Sequence, residues 1–351
     1  MGVIGGRPNP VVAAPMAGGA STPRLAAAVS NAGGLGFVAA GYLTVAQLDD
    51  RIAEVRTLTS EPFAVNLFVP GAPGDVADVA RYAERLAPVA ERYGVTLGEP
   101  RHDDDDWAAK LDVVRARAVP GVSFTFGCPD AEIVASLHEV DTEVCVTVTS
   151  AGEARIAAAA GADVLCVQGM EAGAHRATFL NDPASPTGGE LIGLLPLLRQ
   201  VAGAVDLPLM ATGGLMTGAD IAAVLAAGAV AAQLGTAFLC CPESGAPAAH
   251  QRALLERSYP TTAVTRAFSG RPARGLVNQF LLDHGPHAPA AYPEVHHLTR
   301  PLRAAGDPEA MSLWAGQGFA AIRPMPAADL VATLTAELAA ALSVATARWA
   351  P

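Results

Sequence analysis

The chain has 351 residues, five cysteines and a formal net charge of −11, with 51% hydrophobic and 5% aromatic residues. That length buries a sizeable core without disulfide or metal staples, and a single lysine, Lys110, among singly scattered arginines excludes the clustered basic footprint of a nucleic-acid or anionic-membrane binder. The opening MGVIGGRPNPVV has neither a basic n-region nor a long apolar h-region, and Cys128, Cys145, Cys166, Cys240 and Cys241 form no CxxC pair, so no signal peptide is expected and the thiols read as buried and reduced in a cytoplasmic protein.

Along the chain a short apolar run, a small-residue turn and an alanine-rich helical stretch recur. The first half reads strand 11–15, helix 23–31, strand 36–39, helix 45–58, strand 63–68, helix 75–93 and strand 121–126. It continues with helix 130–139, strand 144–149, helix 151–160, strand 164–168, helix 190–201, strand 209–212, helix 218–227 and strand 229–234. Asp130, Ser150 and Thr217 stand where helix N-caps belong, and Gly33, Gly94, Gly161 and Gly228 where helices should stop. The uncharged stretch 221–241 is mostly alanine and glycine, holds Gln233 and Thr236, and is broken by Gly228 and Gly235. It is therefore a helix followed by a buried strand, since a membrane span wants about 20 strongly apolar residues.

Continuous apolar strands alternating with helices imply a parallel sheet covered on its outer face. Eight such units in 244 residues predict a (β/α)8 TIM barrel over 1–244. The rival, an open doubly wound sheet, lacks a GxGxxG turn after its first strand. Residues 92–107, with the acidic run 103–106, read as a solvated loop. Residues 245–351 are a C-terminal, mainly helical extension rich in Pro, Gly and His; with a helical stretch at 327–349, it is placed to pack on the barrel and close its mouth.

Barrel active sites lie at the C-terminal ends of the strands, and a phosphate often binds after the seventh and eighth. There the chain has Gly213-Gly214 and Gln233-Leu234-Gly235-Thr236, where glycine lets backbone N–H groups approach an anion. Asn66 and Gln168 are amides inside apolar strands; they either orient a ligand ring or satisfy loop backbone groups. His175 follows Gln168 just past the same strand, in GMEAGAHRAT, where an imidazole serves as base, acid or cation, or simply bonds the loop. Glu171 and His175 have no nearby third ligand, so no metal is expected, and no Ser or Cys nucleophile elbow indicates hydrolysis.

Together these segments resemble the nitronate monooxygenases, formerly called 2-nitropropane dioxygenases, which are FMN-dependent (β/α)8 enzymes. The resemblance is carried by Ala14-Pro15-Met16-Ala17-Gly18-Gly19 and the run 28–36 (AVSNAGGLG), then by 63–68, 169–176, 211–215 and 233–239 in order. The segments 265–275 (TRAFSGRPARG) and 313–318 (LWAGQG) extend it over nearly the whole chain. It implies an FMN held by Asn66, Gln168 and Gly173 at the ring, with Met16 near the isoalloxazine. Gly213, Gly214, Gln233, Leu234, Gly235 and Thr236 would hold its ribityl chain and phosphate, with Gln317 and Gly318 adding phosphate contacts. His175 would be the catalytic histidine. The implied reaction oxidises an alkyl nitronate, such as propionate 3-nitronate, with O2 to a carbonyl compound and nitrite, a detoxification that requires no nicotinamide.

Three departures stand out. Thr125 occupies a position where many relatives carry histidine, and Ala174 and Ala177 replace the glycines usual on either side of the His175-Arg176 pair. Tyr292, His296 and Arg300 either line the mouth as substrate contacts or pack between C-terminal helices. Two competing readings are an FMN-dependent NAD(P)H enoyl-thioester reductase of the same superfamily and a flavin-binding protein without this turnover. The expected partners are a small-molecule nitronate and O2, with no nucleic acid and no membrane, in a monomer or homodimer.

Overall fold

A computed structural model of the chain describes residues 2–349. In chain order the strands are β1 (Val11–Ala13), β2 (Gly36–Ala39), β3 (Phe63–Phe68), β4 (Gly121–Thr125), β5 (Glu143–Val148), β6 (Val164–Gln168), the two-residue β7 (Ala174–His175), β8 (Leu209–Thr212) and β9 (Ala231–Leu234). All but β7 form one parallel sheet in the order β1-β9-β8-β6-β5-β4-β3-β2. A parallel bridge between Val12 and Leu35 closes the ring, with Ala13 N donating to Leu35 O at 2.9 Å and Leu35 N to Val11 O at 3.1 Å. This is the (β/α)8 barrel anticipated from the strand count.

The helices α1 (Pro23–Asn31), α2 (Val45–Leu58), α3 (Val76–Tyr93), α4 (Trp107–Ala116), α5 (Ala131–His138), α6 (Ala151–Ala159), α7 (Leu194–Ala202) and α8 (Gly218–Ala226) lie between the strands. Their starts follow side-chain chemistry. Thr22 and Ser150 accept from the third residue on, and Thr44 and Thr217 form capping boxes with Gln47 and Asp220. Asp130 takes the N-cap position of α5 but makes no side-chain cap bond.

Three helices differ from the sequence expectation. The wall helix between β3 and β4 is α4, in the stretch without an expected helix; its N-cap Asp106 sits at φ 55° without a side-chain cap bond, so no start signal marks it. The expected 75–93 helix exists as α3 but leaves the wall. Its Val79, Tyr82 and Leu86 share a second apolar core with Phe268, Phe280, Val295 and Leu298, and Tyr82 OH donates to Ala267 O at 2.8 Å. Helix α7 begins at Leu194 rather than 190, after a long irregular segment, and its N-cap Gly193 offers no side chain.

Beyond β9 the chain crosses the mouth as α9 (Ala248–Leu255), β10 (Thr262–Thr265), β11 (Ala273–Leu276), α10 (Gln279–His284) and α11 (Glu294–Arg303). The last helix, α12 (Ala327–Trp349), returns to the barrel wall as the eighth ring helix, against α8 and α1. The approach to α8 is close enough that a Cβ on Gly218 would fall 2.3 Å from Leu338 N. By length and composition α12 could cross a membrane, with a mean hydropathy of 1.7; here Leu330, Val331, Leu334 and Leu338 are buried against the barrel wall.

Strand alternation explains where the site lies. Residues facing outward pack under the helices, and those facing inward change character with height in the barrel. Low in the barrel they are apolar: Val12, Phe37, Ala64, Cys145, Cys166, Met210 and Ala231, plugged from below by Ile4. Two residues further along, six of the eight strands present Asn66, Ser123, Thr147, Gln168, Thr212 and Gln233, all facing one cavity. Both faces of each strand are buried, so the period-two pattern shows only as single polar residues in apolar runs.

Candidate active site

The cavity, about 400 Å³, is bounded below by this polar ring and above by the chain that crosses the mouth. Met16, Asn66, Thr125, Gln168, Gly173, His175, Gly213, Gly214, Gln233, Leu234, Gly235, Thr236, His296 and Arg300 all line it. Tyr292, Gln317 and Gly318 do not. Tyr292 stands behind the lining, its ring 5.8 Å from His175 and 5.3 Å from Phe126. The Gln317 side chain is exposed on the outside while its N–H donates to Glu171 O at 2.9 Å. Gly318 packs on the far side of Gly214, where a Cβ would meet Gly214 O at 2.2 Å.

At the ends of β8 and β9 the backbone forms an anion cradle. Gly213 and Gly214 adopt φ of 128° and 73°, the left-handed region glycine enters without penalty. The N–H groups of Gly213, Gly214, Leu215 and Gly235 have no acceptor among the described residues. Thr236 Oγ1 accepts from Gly316 N at 3.0 Å, which leaves its hydroxyl proton to donate. Free backbone donors on the last two barrel strands are the chemistry of a phosphate site, so these residues fit a phosphate-bearing cofactor.

At the opposite side of the cavity Asn66 Nδ2 donates to Ser123 Oγ at 2.9 Å and Thr125 Oγ1 at 3.0 Å, so Thr125 fixes the amide. Gln168 is committed at both ends: Nε2 donates to His175 O at 3.1 Å, and Oε1 accepts from Ala177 N at 2.9 Å. Its amide therefore holds the His175 loop, the backbone-satisfying alternative of the sequence reading.

His175 is also held from above. Strand β7 pairs antiparallel with β11, His175 opposite Ala273, and Arg176 N donates to Pro272 O at 2.8 Å. Its Nε2 lies 2.8 Å from Ser269 Oγ, and Phe126, Tyr292 and Trp314 surround the ring at 5.5 to 5.8 Å. Burial, then the nearby Arg271 and Arg303 charges, push the imidazole pKa down to about 3, so it is neutral at physiological pH. Ser269 Oγ accepts from Arg271 N at 3.3 Å; its own proton has Nε2 at 2.8 Å and Arg271 O at 3.2 Å to choose between. With the serine proton on Nε2 the imidazole proton sits on Nδ1, and with the serine proton on Arg271 O the imidazole proton sits on Nε2 and Nδ1 is an acceptor; Nδ1 has no partner among the described residues and is not enclosed by protein.

Several cavity residues carry no individual signal in the sequence. Ser269 lies in the family-like segment 265–275 but looks like an ordinary turn serine. Tyr42 stacks on His296 at 4.0 Å with an 8° interplanar angle and receives a hydrogen bond from Tyr292 OH at 3.1 Å. Arg303 shares the cavity face of α11 with His296, seven residues away, which is the one cue that could have found it. An imidazole from α11 thus reaches the cavity beside His175 and His250, although the β4 end carries Thr125.

The acidic run is not a free loop. Asp105 pairs with the buried Lys110 at 2.8 Å and accepts Tyr42 N at 3.1 Å, and Asp103 holds His297 at 2.8 Å. It fastens the β2 loop and α11 together above the site.

A closed parallel barrel with a backbone anion cradle, a ring of amides and hydroxyls and a shielded neutral imidazole defines a cofactor-dependent barrel enzyme. Residues 7–337 match the family profile described as nitronate monooxygenase. The nitronate monooxygenase of Pseudomonas aeruginosa is 42% identical over 94% of this chain and 96% of its own length. Among solved structures, nitroalkane oxidase from Streptomyces ansochromogenes superposes with a TM-score of 0.93 at 53% identity, covering 97% of this chain and 98% of that one. FabK from Thermotoga maritima gives 0.73 at 27% identity, covering 97% and 96%. The chain belongs to the nitronate monooxygenase family, a family of flavoprotein oxidoreductases.

Proposed function

We propose that this chain binds FMN and oxidises alkyl nitronates, such as propionate 3-nitronate, with O2 to a carbonyl compound and nitrite. Family membership and the fit of the cradle to a phosphate support the cofactor: Gly213, Gly214, Leu215, Gly235 and Thr236 would hold the phosphate, with Met16 and Asn66 beside the ring. Bound flavin supplies the electron acceptor that amino-acid side chains lack.

The observation that carries the reading is the neutral imidazole with Nε2 on Ser269 and Nδ1 open to the cavity. A nitronate is already deprotonated at carbon, so it needs no base. It needs a donor aimed at its charged oxygens, in a site dry enough for that bond to count. In the tautomer that takes the Ser269 proton on Nε2, Nδ1–H of His175 is such a donor, oriented by Ser269, Gln168 and the β7–β11 pairing. A neutral nitroalkane would instead need Nδ1 as an acceptor, which requires Ser269 to turn its proton to Arg271 O.

The test is nitrite release from propionate 3-nitronate under air without NADH, using flavin-loaded protein. Activity that falls on the order of a hundredfold or more in His175→Ala, with flavin retained, supports the reading. Flavin-loaded protein that is inactive there, yet bleached by NADH and reoxidised by an enoyl thioester, overturns it in favour of the reductase.

A further inference from the structure

A second cavity, of about 360 Å³, opens on the second apolar core, where the end of α3, helix α10 and the 307–309 turn meet. Asp283, Asp307 and Glu309 line it, and none of the three has a cationic partner among the described residues. Neutral groups hold them instead. Tyr93 OH donates to Asp307 Oδ2 at 2.8 Å, Tyr259 OH and Gln279 N donate to Glu309 at 2.8 and 2.7 Å, and Gln279 Nε2 donates to Asp283 Oδ1 at 2.8 Å. Such donors fix the direction of a carboxylate and leave its charge uncompensated. Arg92, the only guanidinium among the described lining residues, lies over the Tyr93 ring at 5.3 Å rather than on a carboxylate, and Arg85 reaches Asp283 only at its backbone oxygen, at 2.9 Å. Three carboxylates against one guanidinium leave two negative charges in excess. The phenols feel that field: burial and then the bond to Asp307 raise the Tyr93 pKa, and burial and then the bond to Glu309 raise that of Tyr259.

A fourth lining group, His284, is only 7% exposed, with its ring 4.5 Å from that of Phe280. Its Nδ1 is enclosed without a partner, so Nε2, also without a partner among the described residues, is the nitrogen that meets the cavity. Burial, then the Arg85 charge, lowers its pKa, so the ring is neutral at physiological pH. An unpartnered imidazole this buried is uncommon. An ammonium ion in the cavity can donate to Nε2, in the tautomer that carries the proton on Nδ1. Among the described residues no group of three His, Cys, Asp or Glu side chains converges as a metal site, and the Tyr93 and Phe280 rings suit the methylene body of an organic ion better than a hydrated metal.

We propose that this cavity binds a small organic diammonium ion, one ammonium group on the Asp307 and Glu309 carboxylates and the other on Asp283 and His284 Nε2. Two ammonium groups match the two negative charges in excess, the volume is that of a small-molecule site, and carboxylates already fixed by neutral donors reduce the ordering that binding requires. The site is separate from the barrel cavity, and the inference holds whether or not the chain oxidises nitronates.

The experiment is isothermal titration of the full-length protein, at low ionic strength, with butane-1,4-diamine, with the uncharged butane-1,4-diol and with magnesium chloride. The diamine binds saturably with a Kd on the order of 1 mM, the diol does not, and Asp283→Asn and Asp307→Asn each weaken the diamine by on the order of threefold to tenfold. Diol binding as tight as the diamine's would overturn recognition by charge, and magnesium binding tighter than the diamine's would make the cavity a metal site and overturn the proposal equally. Diamine affinity unchanged in both variants would place the binding elsewhere on the chain, and no saturation at about 20 mM would overturn it outright. The comparison of diamine with diol uses wild type alone, so it stands even where a variant fails to fold.

Discussion

Nε2 of His175 and Oγ of Ser269 are 2.8 Å apart, although 94 residues separate them in the chain. One comes from the loop after β6 and the other from the turn before β11, so the contact exists only because the mouth-crossing segment is paired to β7. If that hydroxyl sets the imidazole proton on Nδ1, Ser269→Ala loses orientation and tautomer together. We expect kcat/KM for a nitronate to fall on the order of tenfold with flavin content retained. The drop should vanish when Ser269→Ala is made in a His175→Ala background, because the serine acts through the histidine. Additive losses in this double-mutant cycle would refute the coupling.

The pH response follows from the buried imidazoles His175, His250 and His296, the last pushed well down by burial and then by the Arg303 charge. Burial, with the Arg271 and Arg303 charges, pushes His175 down to about 3; burial pushes His250 down to about 4, opposed by its bond to Trp314 O. Their ordinary value is 6.5, so between about pH 6.5 and 4 the unfolded chain takes up protons that the folded chain refuses, and stability falls as pH falls through that window. Urea unfolding at pH 6.5, 5.5 and 4.5 should show the loss, and His250→Gln should flatten it by up to about 1.4 kcal/mol per pH unit. An unchanged slope would show that His250 is not held neutral.

Lys110 is the chain's only lysine and is 1% exposed, with Nζ 2.8 Å from Asp105 and 3.1 Å from Ala40 O. Asp105 in turn accepts Tyr42 N, so the pair fastens the aromatic stack over the cavity. Lys110→Met leaves a half-buried carboxylate whose pKa burial already raises, and we expect a loss of about 3–5 kcal/mol, read as the urea midpoint. Adding Asp105→Leu should recover much of it, because removing both charges costs less than orphaning one. A double variant no more stable than the single one would contradict this.

The barrel was legible because eight strand runs and their helix caps are local signals. The amides Asn66, Gln168 and Gln233 were visible as polar residues where apolar ones were expected. Ser123, Thr147 and Thr212 belong to the same ring but are small and β-compatible, so nothing marks them in sequence. Helix α4 was hidden by its uncapped start, and the small β10-β11-β7 sheet by strands of two to four residues whose pairing is wholly non-local. Ser269 and Arg303 needed that folding to meet the site. Gln168 was found, yet its donor and acceptor serve the His175 backbone, a role that depends on where the loop returns.

The two alanines flanking His175-Arg176 should respond in opposite ways to glycine. Ala174 sits at φ 61°, a left-handed conformation that costs a residue with a Cβ roughly 1–2 kcal/mol, while glycine's greater unfolded-state freedom takes back about 0.5–1 kcal/mol. Ala174→Gly should therefore stabilise the chain by about 0–1 kcal/mol. Ala177 shows no such strain: its side chain is fully buried and its N–H is bonded to Gln168 Oε1. Ala177→Gly removes a packed methyl and adds unfolded-state entropy, so a loss of about 1–2 kcal/mol is expected. Urea midpoints at constant m-value order the variants as Ala174→Gly at or above wild type and Ala177→Gly below it. The reverse order would mean that the His175 loop does not hold Ala174 in the left-handed region, and the β7–β11 pairing that places the imidazole would fall with it.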